Sequence, residues 1–126
     1  MNRMRHGQGQ CKRRLGGSLE LMESCILLTL KKQPGHGYEL AKSLDTYGIG
    51  KRGLGPLYTI LNKMEERGLI KSQWDTNSKN GPARRIYEIT EDGLAYLELL
   101  VGILQETLKT VSSVIDGFNS NGENGS

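Results

Sequence analysis

The chain has 126 residues, enough for one domain around one core, with 36% hydrophobic and 6% aromatic residues. Formal net charge is +3 and there are two cysteines, too few for a disulfide framework. The longest apolar run, around Cys25–Leu30, is far short of a membrane span, and the N-terminus lacks the apolar stretch of a secretory signal. A cytoplasmic protein with reduced thiols and no membrane partner is the expectation.

Charge is unevenly placed. Residues 1–17 carry Arg3, Arg5, Lys12, Arg13 and Arg14 with no acid, and residues 51–85 hold eight bases against three acids. Residues 86–126 set Lys109 against seven acids. A polyanion would meet the first part and the middle, not the end.

Residues 1–17 are polar, small or cationic and read as a disordered basic arm, either lying along phosphates or serving only as a solubilising tail. Ser18 is placed to cap a helix through Leu19–Lys32, with Leu19, Met22, Ile26, Leu27 and Leu30 on one face and Gln33-Pro34-Gly35 as the stop. Gly37–Leu44 is a short second helix with Leu40, Ala41 and Leu44 inward, and Asp45–Arg52 is a polar turn. The stretch Gly53–Gly68 follows as a third helix. Pro56 suits its first position, Gly68 suits a left-handed stop, and Leu57, Ile60, Leu61 and Met64 form its buried stripe. Its other face carries Tyr58, Thr59, Asn62 and Lys63, groups whose reach matches base edges and phosphates in a major groove. The bland alternative is a solvated helix face.

Ile70–Asp75 then alternates, Asp75–Pro82 is turn chemistry with Asn80-Gly81 as the reversal, and Arg84–Ile89 returns. This is a two-stranded wing with Lys79 at its tip and Arg84 and Arg85 on its return, beside phosphates on the nucleic-acid reading. Lys51 and Arg52, before the third helix, are further phosphate candidates. Thr90 caps a long helix, and Leu94, Leu97, Val101, Leu104, Leu108, Val111, Ile115 and Phe118 recur at alternating steps of three and four. Leu97 through Phe118 therefore read as a dimer seam, the alternative being a helix folded back on its own domain. Residues 18–90 are a winged helix-turn-helix, 91–118 a dimerisation helix and 119–126 a frayed tail: a mainly α chain with a small β-hairpin.

At Pro34-Gly35-His36-Gly37-Tyr38-Glu39-Leu40, at Gly55-Pro56-Leu57-Tyr58 with Leu61, Glu65, Glu66, Gly68 and Leu69, at Gly81–Tyr87 and at Thr90-Glu91-Asp92-Gly93, the chain resembles the PadR family of bacterial transcriptional regulators. The resemblance covers about Leu19 to Leu100. It implies a winged-helix domain with a C-terminal dimerisation helix, a repressor released from DNA by a small molecule or a stress signal, and the short branch with one terminal helix. The family usually has serine or threonine where this chain has Pro56, so that hydroxyl's role does not carry over. Tyr58, Arg84 and Arg85 match the family pattern. Short members that bind flat drugs can use a tryptophan on the terminal helix, whereas Trp74 falls on the wing strand, so that pocket does not carry over.

No phosphate-binding glycine loop, serine elbow or HExxH motif occurs, so an enzyme and a resident cofactor are not expected. His6, Cys11, Cys25 and His36 are the soft ligands available for a metal or thiol switch, at spacings unlike compact zinc sites. A winged-helix module that binds proteins rather than DNA is the rival from another class, disfavoured by the basic middle of the chain. A homodimer on double-stranded DNA, reading a palindromic operator, is the leading expectation.

Overall fold

The structure is a computed structural model that describes residues 19–49, 54–76 and 83–125, with backbone only at 54 and 121–125. Helix α1 spans Leu19–Lys32, strand β1 Gly35–His36, helix α2 Gly37–Thr46, helix α3 Leu54–Glu66, strand β2 Ile70–Asp75, strand β3 Arg84–Ile89 and helix α4 Glu91–Gly125.

Helix α1 has the bounds its periodicity predicts, but its buried face starts at Met22, because Leu19 is half exposed. Ser18 lies outside the described residues. Ser24 and Thr29 donate their hydroxyls to the carbonyls of Glu20 and Cys25, which lets polar side chains sit in a largely buried helix. At the start of α2, the backbone N–H of His36 donates to Glu39 Oε1 at 2.7 Å, the reciprocal half of a capping box.

Helices α2 and α3 stop in the same way. Gly48 and Gly68 take φ of +78° and +79°, where a Cβ is disfavoured. Gly48 and Ile49 donate to the carbonyls of Asp45 and Leu44, and Gly68 and Leu69 donate to those of Glu65 and Met64. These paired bonds satisfy carbonyls that a helix end leaves open, and they turn Ile49 and Leu69 into the core. Pro56 is the third residue of α3 rather than the first. It still lies in the opening turn, where no backbone N–H has an intrahelical acceptor, so the proline removes no bond.

The sheet has three antiparallel strands in the order β1-β3-β2, one more than the expected ribbon. Gly35 and His36 pair with Tyr87 and Ile86, while β2 pairs with β3 from Ile70↔Ile89 to Asp75↔Arg84. The added strand is two residues long, too short to show a period, and it joins the wing to the start of α2. Tyr87 in the middle strand is almost fully buried.

Leu27, Leu40, Leu61 and Met64 are inaccessible to solvent, with Ile26, Ile70, Tyr87 and Leu100 nearly so. They draw all four helices and the sheet into one core. Leu97, expected on the dimer seam, is buried within the protomer beside Leu100, because the first turns of α4 pack on its own α1. From Val101 to Ser120 no side chain is buried, although the helix continues past Phe118 to Gly125.

The entry of α4 is fixed by backbone contacts. Thr90 caps it, its hydroxyl accepting from the Gly93 N–H at 3.0 Å and donating to the Gly68 carbonyl at 2.6 Å. The Thr90 N–H donates to the Leu69 carbonyl at 3.1 Å. Gly93 is pressed against that same carbonyl, leaving no space for a Cβ. Gly93→Ala is therefore expected to destabilise the fold by about 1–3 kcal/mol, read as a lower thermal or urea midpoint. Gly102→Ala, at an open position on the same helix, is the control and should not lower it.

Candidate nucleic-acid interface

Burial of Leu57, Leu61 and Met64 turns the opposite face of α3 to solvent, and Tyr58, Thr59, Asn62 and Lys63 are all exposed on it. Thr59 donates its hydroxyl to the Gly55 carbonyl at 3.3 Å, within its own helix. Tyr58 leans toward α2 until its hydroxyl end fills the space beside Gly37. Gly37 is thus the position that lets the start of α2 approach the tyrosine. Asn62 and Lys63 project from the same face one turn further on.

The two arginines of β3 differ. The Arg84 guanidinium lies 5.4 Å from the centre of the Tyr38 ring. Arg85 lies 5.0 Å over Trp74, donates to Ser72 Oγ at 2.6 Å and stands 3.9 Å from Glu65 Oε1. Ser72 in turn donates to Glu65 Oε2 at 2.8 Å. Arg85 therefore ties the wing to the last turn of α3 as well as presenting charge. At the last residue of β2, His36 Nε2 meets Asp75 Oδ2 at 3.0 Å and its ring stacks on Tyr38 at 5.8 Å, joining the wing to α2.

Between α3 and the wing is an open cleft of about 490 Å³. Tyr38, Tyr58, Asn62, Trp74, Arg84 and Arg85 line it, and among the described residues of its wall there is no carboxylate. The cleft can accept an anionic chain along its length: guanidinium groups bind phosphate as a planar fork, and the rings offer flat surfaces for sugars. Tyr38 is not among the sequence candidates, since it lies in a short helix whose pattern shows only its buried side. Lys51, Arg52 and Lys79, the remaining basic candidates, lie outside the described residues.

The metal and thiol alternative draws little from the described residues, among which no three His, Cys, Asp or Glu side chains are grouped to hold an ion. His6 and Cys11 lie outside them. Cys25 is buried, and desolvation pushes its thiol up to about 11. The thiol thus stays protonated in the fold at neutral pH. Its stabilising contribution is whole below the ordinary value of 9.0 and is lost as pH rises from there through about 11. In a Cys11→Ser variant at pH 8, a disulfide reagent is expected to label Cys25 at least about a hundredfold faster in denaturant than in buffer. Absorbance of the released thiolate measures it.

Three helices, a short third strand and a β2–β3 wing beside an exposed third helix constitute a winged helix. The PadR-like transcriptional regulator family matches residues 26–99, and the chain belongs to that family. A transcriptional regulator of Bacillus cereus described as PadR-like shares 30% identity at a TM-score of 0.67, covering 75% of this chain and 91% of its own. A Thermoplasma acidophilum protein described as a transcriptional regulator shares 33% identity at a TM-score of 0.69, covering 78% and 93%. A PadR family regulator of Clostridium difficile shares 28% identity at a TM-score of 0.60, covering 77% and 96%. No curated protein sequence matches the chain. Among the described residues no helix is long and apolar enough to cross a membrane.

Proposed function

We propose that the protein is a homodimeric repressor in which two copies pair along α4 and present both α3 helices and both wings to one DNA duplex. The observation that carries this reading is the shared side of α3 and the wing. Asn62, Arg84 and Arg85 border one cleft without an acid among its described wall residues. Asn62 and Lys63 enter the major groove from α3, where an amide can pair bidentately with adenine and an amine with guanine. Tyr58 and Thr59 flank them. Arg84 and Arg85, with Lys51, Arg52 and Lys79, contact the phosphates.

Pairing explains why Leu108, Ile115 and Phe118 are 64%, 52% and 76% exposed on a helix that outruns its own domain. With Val101, Leu104 and Val111 they supply the seam, each knob inserting between residues of the partner helix. A contiguous apolar stripe of this length on a single copy needs a cover. The operator is a palindrome whose half-sites lie about one helical turn, ~34–36 Å, apart. A small molecule or stress signal that alters the pairing of the α4 helices releases the DNA, because the spacing of the two α3 helices follows from it.

Binding to DNA selected from a random pool is the test. With around eight phosphates neutralised per dimer, log K should fall against log salt with a slope near −7. Arg84→Gln should weaken all sequences alike and flatten that slope by about one for each phosphate left unneutralised, whereas Asn62→Ala should relax one base position at a cost of about 1–3 kcal/mol. A flat salt response, or selection of no sequence, favours a protein-binding module instead. Leu108→Asp is expected to give monomers in sedimentation and to lower DNA affinity by about a hundredfold or more, since each binding event then engages a single half-site.

A further inference from the structure

Glu23 is a carboxylate in the wrong place for a helix face. It sits in α1 with its side chain only 4% exposed, and a buried charge is tolerated only when it is paired and hydrogen-bonded. Both oxygens have partners from distant parts of the chain. Arg67 Nη1 donates to Oε2 at 2.9 Å, and the Tyr96 hydroxyl donates to Oε1 at 2.8 Å. The Arg67 guanidinium also lies 4.8 Å over the Tyr96 ring, closing the set into a triangle.

The three corners have different duties. Arg67 follows the last residue of α3, directly before the left-handed Gly68. Tyr96 is in the second turn of α4, three residues beyond Gly93. Glu23 belongs to α1, the helix against which the first turns of α4 pack. The triangle therefore braces the same junction that the Thr90–Gly68 and Thr90–Leu69 bonds hold through the backbone. The triangle adds side-chain ties across that junction, joining α1 to the end of α3 and to the second turn of α4.

We propose that Glu23, Arg67 and Tyr96 are positioning residues for DNA recognition, setting the angle between α3 and α4 and thereby the half-site spacing that a dimer accepts. The proposal rests on the dimeric DNA-binding reading above. In this role the three act through the junction and need no contact with the DNA. One base pair of added spacing moves a half-site by about 3.4 Å and turns it by about 34°, so a rigid junction discriminates between spacings and a loosened one does not. Directional groups suit this task better than apolar packing: a carboxylate holding a guanidinium and a phenol accepts only a narrow range of geometries.

Glu23→Ala would leave Arg67 without its acceptor and endanger folding, so the test uses Tyr96→Phe and Arg67→Lys in the full chain. Tyr96→Phe keeps the ring under Arg67 and removes one hydrogen bond; Arg67→Lys keeps the charge and removes the fork. Affinities are measured on duplexes carrying the half-site selected by the unaltered protein, at the preferred spacing and at one base pair more or less. The preference for the best spacing is expected to fall by about threefold to tenfold in each variant, with dimerisation unchanged. Equal weakening at every spacing, or no change at any, would overturn the positioning role and leave the dimeric reading intact. An unaltered protein that shows no preferred spacing would instead overturn the dimeric reading, and this proposal with it.

Discussion

The carbonyl oxygen of Leu69 is the point at which the two halves of the molecule meet. It accepts the N–H of Thr90, and Gly93 packs directly against it. Leu69 is also the residue that the Gly68 turn drives into the core after α3 ends. The exit of the helix that carries Asn62 and Lys63 and the entry of the long helix are thus held together through backbone atoms. Backbone contacts leave little play, since neither partner can change rotamer. Under the proposed reading, with α3 on the duplex and α4 on a second copy, this junction has to be stiff.

The wing is held with comparable care. Two polar bridges flank it: His36 with Asp75 on the side of α2, and Arg85 with Ser72 and Glu65 on the side of α3. A hairpin alone is marginally stable, and β1 together with these bridges gives it a fixed place. Arg85 consequently serves two ends, since the charge it offers outward is oriented by the acid behind it. Arg84 rests on the Tyr38 ring and has no ion pair among the described residues, so its stacking leaves the edge of the guanidinium open to an anion. The cost of ordering a long side chain on binding is smaller when it is already stacked.

Local signals carry much of the fold. The α1 boundaries, the Gly68 stop, the Thr90 cap and the two wing strands each follow from chemistry within a few residues, and each is where periodicity or capping places it. What escapes is non-local or very short. Strand β1 has two residues and exists because β3 lies beside it. Leu97 and Leu108 are the same kind of residue on one apolar stripe, yet one is buried in its own domain and the other is exposed; the position of α1 separates them. Glu23 reads in the sequence as an acid suited to a helix N-terminus, and its partners lie 44 and 73 residues away. For the interface, the α3 face and the basic wing are legible from charge and helical phase. The tie of Arg85 to Glu65 and the place of Tyr38 beside Arg84 are not, because they depend on how the sheet docks.

The central claim is geometric: a stiff junction in each protomer and a paired α4 put two reading helices on one face of a duplex, a turn apart. Hydroxyl-radical footprinting on a selected DNA tests this most directly. The account predicts two equivalent protected patches on each strand, related by a dyad and separated by about ten base pairs along one face of the helix. A single patch, or even protection around the whole duplex, would contradict it.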